Sequence, residues 1–76
     1  MKVRLKTDRL AQELAQRNVS MNLWATKLGI RSGHLSQLVN GKRRYPNPST
    51  RQRLQDGLGL QFEDLFEVVL HDEHTQ

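Results

Sequence analysis

SMNLWATKLGIRSGHLSQLVNG, residues 20–41, contains two short helices and the turn between them. Ser20 is an N-cap candidate, because its hydroxyl can accept from a backbone N–H one turn later. Val19 and Trp24 stand where a hydrophobic staple would pair them. The helix so opened spans residues 21–28 and stops at Gly29, a natural left-handed C-cap. A second helix begins around Ser32 and ends at Asn40-Gly41, another stop signal. Ile30, Leu35, Leu38 and Val39 can line one side of it, while Arg31, Ser32, Gly33, Ser36 and Gln37 occupy the other. Ala25, Gly29 four residues later and Leu35 six after that make the skeleton of a helix-turn-helix. The small Ala25 lets the second helix approach, Gly29 turns the chain sharply, and the apolar side is buried.

Outward from this centre, the flanks read as more short helices. Thr7 can cap a helix with Leu10, Ala11, Leu14 and Ala15 at helical spacing, and Arg17 suits its C-terminal end. KRRYPNPST, residues 42–50, is a loop, because Pro46 and Pro48 forbid a helix interior. Asn47 can then cap a fourth helix with Pro48 at its first position, running through Leu54 to Leu58 and ending at Gly59. Leu60, Phe62, Leu65 and Phe66 supply a last short helix. The expected class is all-α, a compact bundle of about five short helices. The ends differ: KVRLK (2–6) and FEVVL (66–70) alternate or favour β-branched residues, so two short terminal strands can pair. The expected organisation is a single domain over residues 1–76, with an N-terminal arm at 1–6, a helical core at 7–66 and an acidic tail at 67–76.

Composition narrows the class. The 76 residues include no cysteine, so disulfides and thiolate zinc sites are excluded. At 36% hydrophobic and 26% charged, the chain has ordinary globular composition. No apolar run approaches the roughly 20 residues of a membrane span, and MKVRLKTDRL lacks the apolar core of a signal peptide. A soluble, cytoplasmic protein with no membrane partner is expected. The charge is split. Residues 1–55 carry all twelve Lys and Arg against only Asp8 and Glu13, a balance of +10. Residues 56–76 carry six acids and no Lys or Arg, a balance of −6. A basic face of this kind suits a polyanion, although a merely solvated basic surface has the same composition.

With these residues in place, the stretch SMNLWATKLGIRSGHLSQLVNGKRRYPNPSTRQRLQDGLGLQFEDLF resembles a known group. It is similar to the lambda-repressor-like helix-turn-helix domains of the xenobiotic-response-element class, the phage Cro/repressor family. The resemblance covers about residues 7–66. It rests on Leu/Trp-Ala before the turn, Leu-Gly-Ile in it, Leu-Ser-x-Leu in the second helix, the Asn-Gly-Lys-Arg…Pro exit, and the later Leu-Gly…Phe-x-x-Leu-Phe. Any one piece is weak; the ordered set is specific.

The resemblance implies double-stranded DNA as partner, with a recognition helix from Ser32 to Val39 in the major groove. Base reading would fall to Arg31, Ser32, Gly33, Ser36 and Gln37. Phosphate contacts would fall to Asn22, His34, Asn40, Gly41, Lys42, Arg43 and Arg44. Gln37 is the best-equipped reader, since an amide can donate to and accept from adenine in two parallel bonds. Arg31 could fork onto guanine or hold a phosphate. Three positions depart from the family pattern. Met21 stands where a phosphate-binding Gln is common, Arg31 stands where a small cap is usual, and Gly33 brings no side chain to a reader position.

Other signals read as structural. Trp24 could stack on a base, but its spacing beside Ala25 and Leu28 assigns it to the core. Tyr45 either reaches a phosphate or packs over the loop. His71 and His74 have the spacing of a metal pair, yet two histidines in a polar terminus read as a tail, and no cofactor is expected. Catalysis finds no nucleophile–base constellation. Ser36 and His34, two residues apart on a helix, point in different directions. The expected function is a transcriptional regulator, a repressor occupying an operator as a homodimer with half-sites about 34 Å apart. The rival is an antitoxin or anti-repressor whose C-terminal segment binds a protein partner. A single-stranded RNA reader fits less well, because the four aromatics belong mostly to the core.

Overall fold

Both ends of the helical bundle are drawn together by a two-stranded antiparallel ribbon. A computed structural model describes residues 1–70. In chain order the elements are β1 (Lys2–Leu5), α1 (Thr7–Gln16), α2 (Met21–Leu28), α3 (Ser32–Val39), α4 (Pro48–Leu58), α5 (Phe62–Leu65) and β2 (Phe66–Val69). β1 pairs with β2 in the register Lys2↔Val69, Val3↔Val68, Arg4↔Glu67 and Leu5↔Phe66. Five helices and two terminal strands match the all-α expectation with its paired ends.

Local signals account for most helix limits. Ser20 Oγ accepts from Leu23 N–H at 3.2 Å and opens α2. Asn47 Oδ1 accepts from Thr50 N–H at 2.8 Å and opens α4, with Pro48 at its first position. Gly29 and Gly59 close α2 and α4 in the left-handed region, at φ 71° and 68°.

Two limits are corrected. Thr7 does not cap α1 but is its first residue; Lys6 is the N-cap, and its side chain makes no capping bond. The cause is tertiary: Lys6 N–H donates to Leu65 O at 2.7 Å, so the chain leaves the ribbon there, and Leu10 N–H then closes the first turn on Lys6 O at 3.0 Å. The last helix is only Phe62–Leu65, so Leu60 and Phe66 lie outside it. Phe66 turns extended at φ −132°, ψ 159° and starts β2, because its partner Leu5 holds it in the ribbon.

The core is formed mainly by leucine. Leu10, Leu35, Leu38, Leu54 and Leu65 are fully buried, joined by Leu5, Leu14, Trp24, Ala25, Leu28, Leu58 and Phe66. Each such leucine contributes about 1.5–3 kcal/mol of burial free energy. Trp24 belongs to this core, with the Arg17 guanidinium and the Lys27 ammonium each 5.9 Å from its ring centroid. Val19, Ile30 and Val39 are half-buried against it. Ala15, although at helical spacing, is exposed. Gly57 on α4 permits the approach of α2, since a Cβ there would run into Leu28 Cδ2. Among the described residues no helix is long and apolar enough to cross a membrane.

Candidate nucleic-acid interface

The turn between α2 and α3 fixes what α3 presents. Gly29 N–H donates to Ala25 O and Thr26 O, and Ile30 N–H donates to Ala25 O at 2.9 Å. Arg31 follows with extended backbone, φ −63° and ψ 142°, and its carbonyl accepts from Leu35 N–H at 2.9 Å. α3 therefore starts at Ser32, with Leu35 and Leu38 wholly inside. Its other face carries exposed Ser32, Gly33 and Ser36, with His34 and Gln37 half-buried at its borders.

The exit turn is tied back to the helix. Asn40 Oδ1 accepts from Lys42 N–H at 3.0 Å, and Gly41 sits at φ 86°, a conformation that favours glycine. Arg43 binds Gln37 twice: its backbone N–H donates to Gln37 O at 3.1 Å, and its Nε donates to Gln37 Oε1 at 2.6 Å. Arg44 Nε donates to Gly41 O at 3.2 Å.

This arrangement divides the residues singled out from the sequence. Arg31, Ser32, Gly33, His34, Gln37 and Arg43 line one open concavity. Asn40, Gly41 and Arg44 line a different one, together with Arg4, Lys6 and Thr7. Ser36, Asn22 and Lys42 are exposed and line neither. Tyr45 is exposed, with the Lys2 ammonium 5.0 Å from its ring centroid. His71 and His74 lie outside the described residues.

Electrostatics favour an anion on the α3 face. Glu13 accepts from Arg9 Nε at 2.8 Å and Arg17 Nη2 at 3.0 Å, which hold its carboxyl below the ordinary range, Arg9 most strongly. Glu67 accepts from Arg4 Nε at 2.9 Å and raises the Arg4 guanidinium pKa above its usual value, chiefly through that hydrogen bond. Asp56 accepts from Gln52 and Asp64 from the Gln61 backbone. No described acid lines the α3 concavity, whereas Asp8 and Glu67 both line the one that holds Arg44. Among the described residues, Arg31, Lys42, Arg43 and Arg44 have no carboxylate partner.

Sequence spacing missed three contributors, brought in by two contacts. Arg53 on α4 donates from Nη1 to Gly29 O at 3.2 Å and so clamps the helix-turn-helix bend. Lys6 and Arg4 reach the second concavity because Leu5 N–H donates to Arg44 O at 2.7 Å. Neither contact has a local signature.

No protein-family model matches the chain, and no solved structure matches it. A relative in Bacillus subtilis (strain 168), the uncharacterized HTH-type transcriptional regulator YvzC, is 31% identical over 65 residues. The alignment covers 86% of this chain and 83% of the relative.

Proposed function

The chain belongs to the HTH-type transcriptional regulators, and from that premise we infer that it binds double-stranded DNA sequence-specifically and represses by occupying an operator. α3 enters the major groove, whose width of about 12 Å admits one helix. Arg31, Ser32, Gly33, Ser36 and Gln37 face the bases. Asn22, His34, Asn40, Gly41, Lys42, Arg43 and Arg44 hold phosphates, which fixes register without reading sequence. The chain acts as a regulator in the cytoplasm, not as an enzyme. The observation that carries this reading is the concavity on α3 lined by Arg31, Ser32, Gly33, His34, Gln37 and Arg43, in which neither arginine has a carboxylate partner. Selection from a random duplex library at roughly 0.15 M salt tests it, since that salt suppresses purely electrostatic binding. Enrichment of a defined site supports the reading; binding only in low salt, without enrichment, overturns it.

A homodimer accompanies this reading, with the open edge of β2 as the contact. Leu5 N–H points away from β2, toward Arg44 O, so by antiparallel alternation the Val68 backbone groups point away from β1. Val68 and the adjacent Leu70 are 46% and 67% exposed, an unusual edge for an isolated domain. β1 is the poorer contact: its edge is partly occupied by Arg44, and a second copy there would set Lys2 and Arg4 against their own kind. Antiparallel pairing of two β2 strands about Val68 avoids that repulsion.

A further inference from the structure

We propose that Arg43 reads a base, guanine by its chemistry, and that Gln37 is the residue that positions it. This rests on the α3 docking described above and moves Arg43 from the phosphate contacts to the base contacts. Three consecutive cations, Lys42, Arg43 and Arg44, follow α3, and they diverge. Arg44 lines the concavity shared with Arg4 and Lys6, and Lys42 lines neither concavity. Of the three, only Arg43 returns to the α3 face, beside Arg31, Gly33 and Gln37. Its backbone sends it there: Arg43 N–H donates to Gln37 O at 3.1 Å, which folds the exit turn back onto the helix. Gly41, at φ 86°, supplies the left-handed residue in that reversal.

The side chain is then held at one atom. Arg43 Nε donates to Gln37 Oε1 at 2.6 Å, so an exit-turn arginine is anchored on a side chain of α3 itself. Guanidinium carries five N–H donors in one plane, and this bond uses the single Nε–H, which leaves the two terminal NH2 groups uncommitted to Gln37. Among the described residues no carboxylate pairs with Arg43, and no acid lines the concavity. A pair of N–H donors from one guanidinium matches guanine, whose O6 and N7 acceptors lie side by side on the major-groove edge. Adenine sets a donor beside its N7, cytosine offers a donor, and thymine has one acceptor beside a methyl group. A phosphate would accept from the same donors. What favours the base is the anchor, because Gln37 belongs to the helix that lies in the groove.

The test compares duplex selection and salt titration for the wild-type full chain, Arg43→Met, Gln37→Ala and Lys42→Met. Arg43→Met should relax a guanine preference at one base position by about tenfold and leave the other positions unchanged. Gln37→Ala should weaken the preference at that same position, because Arg43 loses its anchor, whereas Lys42→Met should leave it intact. In wild-type protein, 7-deazaguanine at that position should cut affinity by about fivefold, the worth of one hydrogen bond, a measurement that needs no variant. The same base should cost Arg43→Met nothing. Arg43→Met with no change, or with weaker binding to every sequence alike and a salt slope shallower by about 1, overturns the inference while leaving DNA recognition intact. An unchanged guanine position in Gln37→Ala overturns the positioning role. No enriched sequence in the wild type overturns both readings.

Discussion

Arg53 Nη1 and Gly29 O are 3.2 Å apart, and through them α4 holds the bend that aims α3. The contact joins residues 24 positions apart. A charge-assisted bond at an exposed site contributes about 1 kcal/mol, so Arg53→Ala should lower stability by that amount in urea unfolding. Gly29→Ala should cost more, about 1–2 kcal/mol, because its φ of 71° disfavours a side chain and the added Cβ would run into Arg53 Nη1. Equal stability of Gly29→Ala and wild type would rule out the bend as a constraint.

Gly33 is the opposite case. Nothing lies within 4 Å of a Cβ added there, and it sits within α3 at an ordinary φ. Gly33→Ala should therefore raise stability by about 0.5–1 kcal/mol. If α3 approaches DNA closely at this point, the same methyl should weaken operator binding. Thermal unfolding and a binding titration on one preparation separate the effects, and tighter binding would sink the close-approach role.

Glu13 gives a pH dependence of known sign. Its carboxyl is held below the ordinary value by hydrogen bonds from Arg9 and then Arg17. The unfolded chain consequently binds this proton more readily than the folded one. The stabilisation is fully present above the ordinary glutamate pKa and is lost as pH falls through the depressed folded value. Glu13→Gln should lower the melting temperature near neutrality, with the difference shrinking in acid. A difference that grows toward low pH would contradict the ion-pair assignment.

Salt dependence separates phosphate contacts from the rest. For a dimer holding about 8 phosphates, log affinity should fall with log salt at a slope near −7. Removing one phosphate contact with Lys42→Met should reduce the slope by about 1 without changing the selected sequence. The double change Arg43→Glu with Arg44→Glu should abolish DNA binding yet spare a complex formed at the C-terminal segment. Loss of that complex instead would favour the antitoxin or anti-repressor reading.

The β2 edge makes a prediction about assembly. Val68→Asp places a charge where two copies would meet, on a side chain already 46% exposed. Sedimentation should show the monomer favoured with little loss of helical signal. An unaltered dimer would move the contact away from β2.

Much of this protein follows from its sequence, because many of its defining contacts span only three or four residues. Ser20 with Leu23, Asn47 with Thr50, and the glycine stops at 29 and 59 leave signatures that do not depend on the rest of the fold. The apolar spacing of Leu35 and Leu38 likewise determines which side of α3 is buried and which polar residues face outward. Tertiary structure decided the remainder. Lys6 became a cap because it bonds to Leu65, and Phe66 became a strand because it pairs with Leu5. Arg53 reached Gly29, and the Arg43 side chain reached the Gln37 oxygen. A side chain's chemistry is inherent in its residue type, but its partner depends on distances that arise only when the distant segments of the chain have packed.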